Sequence, residues 1–220
     1  MGTITAGTII DRISNSPLND PDNDQWPRAE LRAHLSEGQR AAVLLRPEVN
    51  PVTKSFPCVA GTKQTIPDDA YVLIDVIRNL GEAGNGRVIT PNERAAIDAD
   101  EPMWHDAHAN PIAENFVHDV RNRKVFYLSP PRPAAPGSIE IVVAEIPADL
   151  DTDQTPIVLD DIYEPALRAY ALFCAFEKDV ANVVASAERA KFYAEWFTTL
   201  ITGNADQKDV ELVLRQEARE

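Results

Sequence analysis

Cysteine is nearly absent: Cys58 and Cys174 are the two in 220 residues. Two thiols so far apart supply neither a disulfide framework nor, by themselves, a zinc site, and both read as small buried hydrophobes. Long apolar runs are missing too. No stretch approaches the ~20 residues that span a bilayer. The opening MGTITAGTIIDRI has neither the basic start nor the apolar stretch of a secretory signal, so a protein made and kept inside a cell is expected. Positive charge is scarce: 21 Lys and Arg stand against 35 Asp and Glu, a formal net charge of −14. A free-standing DNA reader needs basic surface to neutralise phosphates, so sequence-specific DNA binding is not expected. The acidity serves either solubility or a surface that repels DNA passing close by. Composition does not choose between them.

What is present is ordinary globular material, 44% hydrophobic and 25% charged. Ile9, Ile10 and Ile13 predict a helix over Thr5–Ser14 capped by Thr5, and the Pro- and Asp-rich stretch after it reads as a loop. Trp26-Pro27 opens a second helix with Pro27 in its first turn; Leu31, Leu35, Gly38, Ala42 and Leu45 form its apolar stripe, and Pro47 ends it. From 52 to 153 prolines are frequent and apolar runs short, as in antiparallel β structure. The predicted strands are Ser55–Val59, Gln64–Ile66, Tyr71–Asn79, Gly86–Ile89, Phe116–Asp119, Lys124–Ser129 and Ser138–Glu145, with a short helix over Pro91–Ala99. Helical spacing returns near Asp160, through Ala166, Ala169, Tyr170, Phe173 and Phe176. It resumes over 183–201 and stops at Gly203-Asn204.

The expected fold class is α+β. Helices from both chain ends form a discontinuous bundle (1–51 and 155–203), an antiparallel β-sandwich or barrel is inserted at 52–154, and 204–220 is a C-terminal tail.

A search for chemistry finds little. The loop Met103-Trp104-His105-Asp106-Ala107-His108, with His118-Asp119 beyond it, holds the residue types of a divalent metal site, but not at a recognised ligand spacing. A polar loop anchored by Trp104 accounts for it better. Neither cysteine sits in a nucleophile setting, no Gly-x-Ser-x-Gly elbow occurs, and Gly81–Gly86 lacks the Lys-Ser/Thr of a phosphate loop and reads as a turn. The pairs Asp68-Asp69 and Asp160-Asp161 lie where turns or helix starts favour Asp. Phe173, Phe176, Phe192, Tyr193, Trp196 and Phe197 fall on helical segments and read as core. No catalytic, cofactor or metal residue is assigned.

Four segments together resemble the adaptor (connector) proteins that join head to tail in tailed bacteriophages. They are Trp26 through Glu37-Gly38-Gln39-Arg40 to Arg46-Pro47; Ile66-Pro67-Asp68-Asp69-Ala70 leading into Leu73–Asn79; Pro102-Met103-Trp104 with the His118-Asp119 and Phe126–Pro131 strands; and Leu159–Tyr163 followed by Ala187–Leu200. The resemblance implies a non-enzymatic ring, typically of twelve copies, docked under the portal protein at the head–tail junction of the virion and assembled in the host cytoplasm. Its partners would be the portal, tail tube or nozzle proteins and copies of itself, with double-stranded DNA passing nearby and no membrane involved. Helices would form the channel wall, where Glu30, Glu37 and Asp161 are candidates for the lining. The C-terminal segment would reach the portal, through Val210, Leu212, Val213, Leu214 and Arg215. The alternative is a tail-associated hydrolase of cell-wall glycan, which needs two carboxylates at a suitable separation. No such pair stands out.

Overall fold

The computed structural model describes residues 2–81, 86–119, 121–179 and 184–203. In chain order its helices are α1 (Ala6–Asn15), α2 (Arg28–Leu45), α3 (Arg94–Asp100), α4 (Glu164–Asp179) and α5 (Val184–Thr202). Its strands are β1 (Pro51–Pro57), β2 (Gly61–Thr65), β3 (Ala70–Leu80), β4 (Thr90–Pro91), β5 (Asn115–His118), β6 (Val125–Arg132) and β7 (Ser138–Glu145). The class is α+β. The described residues divide into two compact units, Asn50–Ile146 and a helical unit drawn from both chain ends, 2–49 and 147–203.

In the helical unit α1 is short and strongly sided. Thr5 caps it, its hydroxyl accepting from the Thr8 N–H, and Ala6, Ile9, Ile10 and Ile13 are buried. The loop that follows is ordered by one carboxylate. Asp20 accepts the N–H groups of Asp24, Gln25 and Trp26, each at 3.0 Å, which holds its pKa below the ordinary carboxylate value, with the Trp26 bond the largest cause. Trp26 is thereby placed to bury its ring and donate Nε1–H to the Ala175 carbonyl of α4 at 3.1 Å. Pro27 stands one place earlier than expected, at the N-cap position of α2.

α2 buries Leu31, Leu35 and Ala42 as its stripe predicts, but Leu45 is exposed and Val43 is buried in its stead. Its polar residues are occupied as well. Ser36 accepts the Leu150 N–H at 3.0 Å, and the fully buried Gln39 accepts the Val158 N–H at 2.6 Å. Arg28 and Arg32 both donate to Asp153, at 2.6 and 2.7 Å, and Arg40 pairs with Asp149. The chain 149–159 is thus held along α2 by its backbone amides and two carboxylates. The same chain pairs with the N-terminus, through a Thr5–Pro156 bridge and the Ile157 N–H to Ile4 carbonyl bond. α4 packs on α1, α2 and α5, with Tyr170 edge-on to Phe197 at 5.0 Å and Phe176 stacked on Tyr193 at 5.7 Å. Gly203, at φ +72°, ends α5 in the left-handed conformation glycine tolerates.

The other unit has two open sheets, in the orders β1-β7-β3 and β2-β6-β5-β4. All pairs are antiparallel except β4 with β5, and the outer strands do not pair with each other among the described residues, so no barrel closes. One apolar cluster takes residues from both sheets, including Phe56, Leu73, Val76, Phe116, Phe126, Leu128, Ile139 and Ile141. The alternate residues Val117 and Tyr127 point the other way and pack with Ile97 of α3 and Trp104.

Several strand ends move for reasons that periodicity does not carry. β1 begins at Pro51, because on an edge strand neither Pro51 nor Pro57 breaks a ladder. β6 continues through Pro130-Pro131, where the register with β2 shifts between Lys63–Tyr127 and Gly61–Arg132. The expected strand over Gly86–Ile89 reduces to an isolated Arg78–Val88 bridge, and the ladder proper is Thr90–Pro91 against β5. β3 buries Ala70, Leu73, Val76 and Asn79, every third residue, because its pairing with β7 slips three times. Each irregularity adds one residue and restores the inward face. The buried Asn79 amide donates to the Arg87 and Ala113 carbonyls at 3.0 and 2.8 Å and accepts the Ala113 N–H at 2.9 Å.

The Asp153 carboxyl is held below its ordinary pKa, chiefly by the Arg28 bond and then by Arg32 against the opposing cost of burial. A depressed folded-state pKa contributes stability that is present above the unfolded value of about 3.9 and is lost as pH falls through the folded value. Asp153→Asn is expected to lower stability at neutral pH by about 1–2 kcal/mol in urea unfolding. It should also flatten the decline of stability below about pH 4. An unchanged acid limb would show that the pair contributes nothing.

Candidate functional site

The residues assigned to a channel lining fall in the helical unit and are not equivalent. Glu30 lies on α2, receives Lys178 of α4 at 2.7 Å and stands 3.8 Å from His34 Nε2. Glu37, two turns on, is exposed, with its carboxylate 3.7 Å from His34 Nδ1. Asp161 is engaged structurally. It accepts the Thr3 N–H at 2.7 Å, the Thr3 hydroxyl at 2.6 Å and the Ile4 N–H at 3.0 Å, closing the chain start onto the α4 entry. Those bonds, the Thr3 hydroxyl first, hold its pKa low. Val210, Leu212, Val213, Leu214 and Arg215 lie outside the described residues.

The loop histidines are not gathered. Trp104 is buried, donates Nε1–H to Asp98 at 2.9 Å and stacks on His105 at 3.8 Å, so the anchoring role expected of it is what the structure shows. His105 Nδ1 bonds the Thr62 hydroxyl at 2.8 Å and His108 is exposed. His118 is half-buried with its pKa pushed down mainly by that burial. The carboxylate pairs are likewise in local use: Asp69 receives Lys54 at 2.7 Å and Asp160 accepts the Ile162 N–H at 3.1 Å.

One cluster escaped sequence reasoning. His34, Glu37 and Cys174 bring one ligand atom each within 4.8 Å of one another. Cys174 is half-buried rather than buried as expected, and its thiol pKa is pushed up to about 12, first by burial and then by Glu37 and Glu177. α2 and α4 meet closely here at a glycine: a Cβ on Gly38 would stand 3.1 Å from the Tyr170 ring, one turn before Cys174. The His34–Glu37 spacing, three apart on a helix, is visible in sequence; the third member is not.

A family model described as SU10 adaptor protein matches residues 4–215, nearly the whole chain. The chain belongs to the SU10 adaptor protein family. The resemblance to phage head-to-tail adaptors is thereby shown, and the protein is a phage adaptor, a virion component that works with other phage structural proteins. The family points to a structural role. No curated protein matches the chain. Among the described residues no helix of the adaptor is long and apolar enough to cross a membrane.

Replacing the Asp161 carboxylate, Asp161→Ala, is expected to speed hydrogen exchange at the Thr3 and Ile4 amides by about tenfold while leaving the α4 amides protected. Unaltered exchange at those two amides would show that the clasp does not form.

Proposed function

We propose that about twelve copies of this adaptor form a ring beneath the portal protein, join it to tail tube or nozzle proteins, and line the channel through which the genome leaves. The observation that carries this is the family match over residues 4–215. In this reading the helices from both chain ends work as one discontinuous bundle that forms the channel wall between neighbours. Residues 50–146 act as an inserted β-sandwich that meets tail components. Exposed apolar side chains of the helical unit, Leu44, Leu45, Ile162 and Phe192, are the type of surface that adjoining copies cover. The segment with Val210, Leu212, Val213, Leu214 and Arg215 reaches the portal. Assembly takes place in the host cytoplasm, without a membrane.

The work is mechanical and electrostatic, with no catalysis. A net charge of −14 per copy, repeated around a ring, disfavours adhesion of the genome's phosphates to the wall. Glu30 and Glu37 are the lining candidates with exposed carboxylate surface, 31% and 51%. Asp161 would carry its charge there in addition to holding Thr3.

Particle images of the purified protein mixed with its portal test the ring: a closed annulus capping the portal is expected, and a chain that ignores the portal overturns the reading. The lining has a separate test. Glu30→Lys with Glu37→Lys is expected to impair genome ejection while rings still assemble, whereas normal infection by that phage rules these residues out as lining.

A further inference from the structure

The cluster on α2 and α4 has a chemistry that neither packing nor an acidic wall explains. His34 and Glu37 occupy adjacent turns of α2 and face Cys174 on α4, with ligand atoms within 4.8 Å of each other. Both ring nitrogens of His34 are buried and lack a hydrogen-bond partner. Nδ1 is 3.7 Å from the Glu37 carboxylate and Nε2 is 3.8 Å from that of Glu30, too far for hydrogen bonds. Each nitrogen of this half-buried ring thus faces a carboxylate at ion-pair range without a hydrogen bond, an arrangement that a metal ion would complete. The surrounding charge gives its sign: Glu30, Glu37 and Glu177 are all close, and the nearby cation, Lys178, is bonded to Glu30.

We propose that His34, Glu37 and Cys174 bind a zinc ion that staples α2 to α4. Imidazole nitrogen, carboxylate oxygen and thiolate sulfur are the zinc donor set, and the sulfur selects against calcium and magnesium. Zinc bonds of about 2.0–2.3 Å put tetrahedral donors about 3.3–3.8 Å apart, so the cluster has to tighten by roughly 1 Å. Glu37 is exposed and can swing to do so. Nδ1, on the Glu37 side, takes the metal, and Nε2–H is then directed at Glu30, the outer carboxylate that fixes the ring and its tautomer. On binding, the Cys174 S–H bond breaks, its proton passes to solvent, and the sulfur lone pair forms the Zn–S bond. Water completes the fourth position. Gly38 permits the helix approach that the site requires, since a side chain there would press on Tyr170. Glu37 binds through one carboxylate oxygen and keeps the other at the surface, so the site and the lining proposed above are compatible.

Cobalt(II) titration of the metal-free, full-length protein tests this directly, because a thiolate ligand gives a near-ultraviolet charge-transfer band that oxygen and nitrogen donors do not. The expected result is such a band saturating at one equivalent, retained in Cys58→Ser, lost in Cys174→Ser, and displaced by zinc. Zinc should also raise the Tm of the wild-type chain and not that of folded Cys174→Ser. No charge-transfer band in the folded wild-type protein, or a band that survives Cys174→Ser, overturns the proposal. Should Cys174→Ser fail to fold, Glu37→Gln at its exposed position is expected to weaken cobalt binding at least tenfold, and unchanged affinity is the overturning result.

Discussion

The helical unit depends on the polar side of α2 as well as on its apolar stripe. Ser36 and Gln39 accept backbone amides of an irregular segment more than a hundred residues later, and Arg28, Arg32 and Arg40 hold its carboxylates Asp153 and Asp149. Amides in a chain without regular structure must find acceptors when buried, and a helix interior offers none from its own backbone. Side-chain oxygens at 36 and 39 solve this, on neighbouring turns. With that chain in place, Thr5 and Ile4 pair against it, α1 is set, and α4 enters where Asp161 clasps Thr3 and Ile4. The two ends of the sequence become one unit through hydrogen bonds as well as through burial.

In the β unit the corresponding constraint is register. β7 alternates regularly, with Ile139, Ile141 and Val143 inward, while β3 beside it reaches the same core with every third residue. Irregular pairing reconciles the two periods. A strand built this way bends and twists more than a regular one, and its last inward residue, Asn79, spends its amide tying down Arg87 and Ala113. Simple alternation would not put Leu73, Val76 and Asn79 on one face. The burial of Asn79 is made tolerable by its hydrogen bonds to Arg87 and Ala113.

The acidic residues show why charge in a sequence does not translate into a surface. Asp153, Asp149, Asp161, Asp20 and Asp69 all have assigned partners, and several have lowered pKa values for that reason. Glu37 is the exposed neighbour of a half-buried histidine and a half-buried thiol. The net charge of −14 counts carboxylates used in folding together with those left exposed.

Much of the fold was legible because local patterns suffice for local structure. The Thr5 cap, the spacing of Ile9, Ile10 and Ile13, the stops at Pro47 and Gly203, and the alternation in β7 place elements without reference to distant residues. The ordered resemblance across the chain was likewise enough to indicate the family that the match over residues 4–215 shows. What the sequence left open depends on partners remote in the chain. Leu45 lies exposed at a helix end, β3 abandons period two, and Asp161 becomes a clasp through contacts that periodicity does not encode. Cys174 meets His34 and Glu37 across a helix contact where Gly38 leaves room for Tyr170. Composition and spacing determined the elements and the class; tertiary structure alone decided which polar groups face each other, since that is set by packing distances between segments the sequence keeps far apart.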